Sequence, residues 1–396
     1  MQRSKIFNNK KQILTDSINN NILLGLEWLV SSGIQAKKDR DDAGGFAAWY
    51  DTETKKSSFT YSEITGYALN LLLAFKKKYS IKGLDESINL ATDYLTKLAF
   101  DERFGAVKCR YIADEGWLEN YCTFDNGIIA NALINKYRQD KDANALDVAT
   151  VILDTLMNKL FYGEGFYSRY ISKENKYQND PTKWSTGSGT FHAKVIIPFL
   201  NIYDLKKEKK YLKFVEKILE LTLKQQQSSG RFYTCISPNS TFLHPMCYTL
   251  EGLVTASINL KKESYAHAVD NGLQWIHSLQ LENGGIAGFV ADNNKISLDS
   301  PDINSQYLRC MVLSGFQEKH SMDTSNLLNR ILTQQVQNPN EPRINGGFRI
   351  GDIWFYDQIK GTMNPIKKHI NTCATIFALN AMYYLQFNDL NPFTLC

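Results

Sequence analysis

The sequence predicts an all-α fold, an (α/α)6 toroid in which six helical hairpins close into a ring around a central cavity. Three observations carry this expectation. A glycine-bearing turn recurs as Gly44-Gly45-Phe46, Gly105-Ala106-Val107, Gly165-Phe166-Tyr167, Gly230-Arg231-Phe232, Gly284-Gly285-Ile286 and Gly346-Gly347-Phe348. An amphipathic stretch precedes each turn, and a more apolar one follows it. The period is roughly 60 residues, longer than the usual solenoid unit, and it spans almost the whole chain, which suits a closed ring better than an open array.

The stretches before the turns are 17–32, 85–100, 143–161, 209–227, 264–281 and 324–337. They carry Lys, Glu and Asn on one face and Leu, Ile and Val on the other, the pattern of outer helices that meet both water and core. Several end in glutamines, as in Gln225-Gln226-Gln227 and Gln334-Gln335, shortly before the glycine that stops the helix. The stretches after the turns are 64–75, 126–137, 190–203, 246–260, 305–315 and 373–385. They are apolar on all sides, as buried inner helices must be. Residues 1–16 read as a polar tail, 17–388 as the ring and 389–396 as a C-terminal tail.

The 396 residues carry a net charge of +4, from 45 basic and 41 acidic side chains. Basic runs such as Lys76-Lys77-Lys78 are short, which excludes the electrostatic footprint of a nucleic-acid binder. No apolar run reaches the length of a membrane span, and the N-terminal segment lacks the apolar core of a signal peptide. Seven cysteines without a CxxC pair read as reduced thiols in a cytoplasm. With no clustered Cys and His, no metal is expected, and no cofactor either. Nothing in the sequence fixes the oligomeric state.

Candidate functional residues sit where inner helices begin, because free N–H groups and the positive dipole end gather there. His244 opens the fourth inner helix, with Tyr248 and Glu251 at helical spacings behind it. A His beside a Tyr can exchange protons near neutral pH, or it can simply cap the helix. Glu63 and Asp125 open the first and second inner helices, as first-turn charges or as a carboxylate pair suited to glycoside hydrolysis. Asn126 follows Asp125, His192 follows the Gly187-Ser188-Gly189 turn, and His369 with Asn371 opens the last inner helix. Arg309 lies in an otherwise apolar helix, so it is either a structural ion pair or a carboxylate clamp. Trp49, Tyr50, Arg110, Tyr111, Trp184 and Tyr233 stand in loops near the same end. The aromatic rings among them can stack on sugar C–H faces or anchor the loops.

The segments Gly44-Gly45-Phe46-Ala47-Ala48-Trp49-Tyr50-Asp51, Tyr61-Ser62-Glu63-Ile64-Thr65-Gly66-Tyr67, Phe124-Asp125-Asn126-Gly127 and His244-Pro245-Met246-Cys247-Tyr248-Thr249-Leu250-Glu251-Gly252-Leu253 resemble a family of α/α-toroid proteins. That family, six-hairpin glycosidase-like, is associated with bacterial polysaccharide gene clusters, and its members are sometimes labelled terpene-cyclase or prenyltransferase-like. The resemblance implies the fold of many sugar hydrolases, epimerases and polysaccharide lyases, but it does not supply a reaction. Asp39-Arg40-Asp41-Asp42 spells the D-x-D-D acid motif of class II terpene cyclases. Its place in a charged linker points instead to a solvated loop or a contact at the rim.

The expectation is therefore a cytoplasmic carbohydrate-active enzyme of the epimerase or lyase type. Its saccharide substrate would carry a uronate and belong to polymer biosynthesis. Arg309 or Arg110 with Asn126 would neutralise the carboxylate, and His244 and Tyr248 would exchange protons. Three alternatives stay open. They are a glycoside hydrolase using Glu63, Asp125 and Glu251, a terpenoid-cyclase-like toroid, and a non-catalytic sugar-binding protein.

Overall fold

The structure is a computed structural model describing residues 2–234, 239–291, 294–357 and 360–396, with side chains from residue 16 onward. Its inner helices are α2 (Ser62–Lys76), α4 (Thr123–Asp140), α6 (Ile196–Lys206, entered through a 3-10 segment Thr190–Val195), α8 (Leu243–Leu260), α10 (Pro301–Ser314) and α12 (Thr372–Phe387). The outer helices are α1 (Gln2–Ser31), α3 (Leu84–Asp93), α5 (Ala143–Thr155), α7 (Lys209–Leu223), α9 (Glu263–His277) and α11 (Ser321–Leu332). Each inner helix packs on the next, and α12 packs back on α2, which closes the ring. Outer helices lie on the inner helix before them, and α1 lies on α12. The tight hairpins are thus inner-to-outer, one step out of phase with the turn-centred sequence repeat. Helix α1 runs unbroken through residue 16, so no structural break marks the start of the ring.

Sequence patterning explains the two layers. In α7 the buried positions are Tyr211, Phe214, Val215, Ile218, Leu219 and Thr222, one face of a helix. In α2 every residue from Ile64 to Phe75 is buried. Several of the glycine turns share one construction. Gly44 adopts φ +86°, and a Cβ there would run into the backbone carbonyl of Leu90 on α3. A glutamine then ties the turn to the next outer helix. Gln35 Nε2 donates to the carbonyls of Gly44 and Ser87, both at 3.0 Å, and Gln335 Nε2 donates to those of Gly346 (2.8 Å) and Asn21 (3.0 Å). The residue after the turn is held from inside the ring. Phe46 N–H donates to Thr65 Oγ1 (2.9 Å), Val107 N–H to Asn126 Oδ1 (2.8 Å), Ile286 N–H to Asn304 Oδ1 (3.1 Å) and Phe348 N–H to Thr375 Oγ1 (2.9 Å).

Short strands, absent from the sequence reading, rim the end where inner helices begin. Thr60–Tyr61 pairs with Arg110–Ile112, Asn120–Cys122 with Arg169–Ile171, and Ser240–Phe242 with Phe289–Ala291. His369–Asn371 pairs with Trp49–Asp51 in the register Trp49↔Asn371 and Asp51↔His369, joining the last repeat to the first. At the other end the C-terminal segment folds into the ring. Asn131 Nδ2 holds the Phe393 carbonyl at 2.9 Å, Asn70 Nδ2 that of Leu395 at 2.8 Å, and Lys194 Nζ that of Cys396 at 2.7 Å. Residues 392–396 are mostly buried there, so this segment packs as part of the ring floor. Among the described residues no helix is long and apolar enough to cross a membrane. The described cysteines are free thiols, and Cys235 lies outside the described residues.

Candidate functional site

A cavity of about 640 Å³ opens where the inner helices begin. Glu63, Asp125, His192, His244, Tyr248, His369 and Asn371 all line it, as do Trp49, Arg110 and Trp184 from the rim. The ring brings them together because each inner helix starts at the same end and the paired strands hold the loops over it.

On one wall, His244 Nδ1 sits 3.0 Å from Oδ2 of Asp302, which occupies the first turn of α10. Both side chains are almost fully buried. Burial pushes the Asp302 carboxyl up, but the His244 contact, Ser300 and the Ile303 N–H outweigh it and hold the carboxyl below its ordinary value. Neither His244 Nδ1 nor Asp302 Oδ2 makes a hydrogen bond in regular geometry, so this is a short polar contact that turns Nδ1 toward the carboxylate and Nε2 away from it. Aromatic rings surround the imidazole: Tyr248 at 4.6 Å between centroids, Trp354 at 5.1 Å and Trp184 at 5.6 Å, all steeply inclined. Tyr248 therefore packs edge-to-face on His244. Burial raises its phenol well above the ordinary value, so it stays protonated.

Two further histidines face the same space. His192 has its Nδ1 3.2 Å from the Gly189 carbonyl, and burial pushes its imidazole down to about 3. His369 stacks on Trp49, with centroids 5.0 Å apart and planes 10° apart, and its Nε2 lies 3.6 Å from Asp51 Oδ2. Burial pushes its imidazole down, against the pull of the Asp51 charge. Asn371 caps α12, its Oδ1 accepting from the Ala374 N–H at 2.8 Å.

The opposite wall is acidic. Burial pushes the Glu63 carboxyl up to about 8, and the charge of Asp125 adds to this; Tyr61, Lys194 and Tyr67 oppose it. Burial likewise raises Asp125 to about 6, opposed by hydrogen bonds from Cys122, Tyr61 and Cys109. Its Oδ2 has no partner within normal hydrogen-bond geometry. Cys109, Cys122 and Asp125 bring potential ligating atoms within 4.8 Å of one another. The hydrogen bond to Cys109 and burial push the Cys122 thiol up, so Cys122 sits here as a protonated thiol hydrogen-bonded within the cluster.

Cations stand at the rim. Arg110, Arg169 and Lys367 line the cavity. The Arg110 guanidinium lies 4.5 Å over the Phe59 ring, and its buried Nε has no hydrogen-bond partner. Arg169 Nε is held at 2.7 Å by Gln178 Oε1.

Other sequence candidates fall elsewhere. Glu251 and Arg309 do not reach the cavity; they lie wholly buried and hydrogen-bonded to each other, with Lys194 Nζ 2.7 Å from the second Glu251 oxygen. Lys194 also sits 4.6 Å over the Tyr248 ring, so this ion group lies beneath the cavity. Asn126 is spent on the backbone of Val107 and Cys122. Tyr50 is buried under Arg343, Tyr111 donates to Asp41 at 3.1 Å on the outside, and Tyr233 is exposed beside Arg231. In the Asp39-Arg40-Asp41-Asp42 segment, Asp42 is buried and paired with Arg40 at 2.7 Å, and none of the four lines the cavity.

Asp302 was not among the sequence candidates. Its signal was Ser300-Pro301-Asp302, a proline at the first helical position followed by a first-turn acid. Tyr61 and Lys367 were missed as well, Tyr61 because it ends a strand of two residues.

No protein-family model matches the sequence, and no curated protein matches it. Solved structures do resemble it. Cellobiose 2-epimerase from Bacillus thermoamylovorans superposes with a TM-score of 0.74 at 13% identity, over 93% of this chain and 98% of that one. A D-mannose isomerase gives 0.73 at 10% identity, over 94% and 97%. Unsaturated glucuronyl hydrolase from Bacillus sp. GL1 gives 0.69 at 10% identity, over 94% and 97%. The chain therefore has the six-hairpin (α/α)6-toroid fold that these sugar epimerases, isomerases and hydrolases share.

Proposed function

We propose that this chain is a carbohydrate-active enzyme that moves a proton on an acidic saccharide, as an epimerase or lyase does. The observation that carries the reading is the His244–Asp302 pair, buried in an aromatic wall with His244 lining the cavity. Asp302 fixes the ring and stabilises the imidazolium that forms when Nε2 takes a proton. His192 is not the base near neutral pH, because burial holds its imidazole down to about 3. It serves as a neutral hydrogen-bonding group.

The acidic wall supplies the second proton position. A Glu63 carboxyl raised to about 8 stays protonated at neutral pH and donates from the face opposite His244. Arg110, with an unspent buried N–H, is the group that fits a uronate carboxylate and eases charge build-up during abstraction of the adjacent proton. Trp49 and Trp184 offer faces for sugar rings. Reduced cysteines throughout the described chain favour a cytoplasmic setting and a role in polymer biosynthesis.

A second reading rests on the same wall. Glu63 at about 8 and Asp125 at about 6 are two carboxyls whose surroundings separate their protonation, the arrangement that hydrolases use for acid and base or nucleophile.

One assay separates these readings: incubation with uronate-containing oligosaccharides in deuterated water. Deuterium uptake at C5 without cleavage means epimerase, a new unsaturated product means lyase, and new reducing ends without unsaturation mean hydrolase. His244→Ala should lower the first two activities by about 10²–10⁴-fold while the chain still folds. A His244→Ala protein as active as the parent would overturn the proton-transfer reading.

A further inference from the structure

Outside the cavity, two histidines far apart in sequence meet one carboxylate. His277 ends α9, His320 precedes α11, and Asp323 lies in the first turn of α11. His277 Nε2 and His320 Nδ1 each lie 3.8 Å from the same oxygen, Oδ2 of Asp323. The two imidazole centroids are 4.3 Å apart. Helix-end electrostatics accounts for a histidine at the end of α9 and an acid at the start of α11. It does not account for two imidazoles converging on one oxygen at a distance too long for a hydrogen bond.

We infer that His277, His320 and Asp323 form a binding site for a zinc-class divalent cation that ties outer helix α9 to α11. The donor set of two imidazoles and one carboxylate is a familiar one for zinc and its neighbours. The three potential ligating atoms lie within 4.8 Å of one another. Tetrahedral zinc with bonds near 2.0–2.1 Å spaces its ligands by about 3.3 Å. The observed 3.8 Å separations therefore need only small side-chain rotations to close. Phe316 holds the rings in place, stacked on His320 at 4.3 Å and 15° and edge-on to His277 at 6.1 Å. Side-chain exposures of 28%, 27% and 35% for His277, His320 and Asp323 leave room for an ion to enter and for water to fill a fourth position.

The test is calorimetric titration of zinc chloride into the full chain after chelator treatment, with melting temperature as a second readout. The expected result is one ion per chain and a raised melting temperature. His277→Ala and His320→Gln should each weaken binding by about tenfold or more, with unchanged circular dichroism in the absence of zinc. These side chains are half-exposed, so their replacement leaves no core cavity. Cys109→Ser with Cys122→Ser should bind zinc as the parent does. Cobalt substituted for zinc should give d–d absorption without a thiolate charge-transfer band. Absence of saturable binding, binding that survives both histidine variants, or binding lost only with the cysteines would each overturn the assignment.

Discussion

Nδ1 of His244, in the first turn of α8, lies 3.0 Å from Oδ2 of Asp302, in the first turn of α10. The contact joins neighbouring inner helices at the cavity wall and turns Nε2 away from the carboxylate, toward the side where chemistry can occur. Asp302→Asn keeps the size of the side chain but removes the charge that supports an imidazolium. Turnover should fall by about 10²-fold or more, with KM little changed, because the loss is felt mainly when His244 carries the extra proton. Equal kcat in the variant and parent would mean that His244 does not take the proton.

Glu63 gives a pH signature with a definite sign. Its folded carboxyl is raised to about 8 from an ordinary 4.5, so between those values the folded chain keeps a proton that the unfolded chain has released. The unfolded state then binds fewer protons, and stability must fall as pH rises through that window, by at most about 1.4 kcal/mol per pH unit. Glu63→Gln should flatten this slope in urea unfolding measured from pH 5 to about 8, and the variant should gain on the parent at the alkaline end. Activity that needs protonated Glu63 should decline above pH about 8. Parallel stability profiles for parent and variant would show that Glu63 is not held protonated.

Arg110 tests the charge of the substrate. Its guanidinium lies over Phe59, and its Nε has no protein partner. A hydrogen bond to a charged group is worth about 1.5–3 kcal/mol, so Arg110→Gln should raise KM for a uronate oligosaccharide by about tenfold or more. A neutral analogue, lacking the carboxylate, should be affected far less. Equal losses on both substrates would assign Arg110 to loop packing.

What could be read from the sequence follows from distance along the chain. The glycine turns and the all-round apolar stretches are local, and they lead directly to two layers of helices and to Glu63, Asp125, His192, His244 and Asn371 at one end of the ring. Glu251 shares α8 with His244, and Arg309 shares α10 with Asp302, but each sits about two turns further in, beneath the cavity. Asn126 looks like a ligand-binding polar residue until its partner, the Val107 backbone across the turn, is visible. Thr65, Asn304 and Thr375 hold the corresponding N–H groups in other repeats, a regularity that aligned repeats could have exposed. Strands of two or three residues are too short to show a period of two. The pairings of His244 with Asp302 and of His277 with His320 join different repeats, and no local pattern announces them.

Glu251 separates a structural from a substrate-binding role most sharply. It, Lys194 and Arg309 are all fully buried, and Lys194 Nζ lies 2.7 Å from one Glu251 oxygen while Arg309 engages the other. Burial pulls the Lys194 amine down, and the Glu251 charge counters this. Glu251→Gln would leave two cations facing each other in a space closed to bulk solvent. Removing one partner from a buried ion pair typically costs about 3–5 kcal/mol, so the variant should unfold at much lower urea concentration. Replacing all three by apolar residues of similar volume should cost far less, because no charge is then left unpaired. If Glu251 instead contacted the saccharide, Glu251→Gln would raise KM and leave the urea midpoint unchanged. A midpoint shift without a KM effect in the surviving folded fraction would place Glu251 in the floor of the ring.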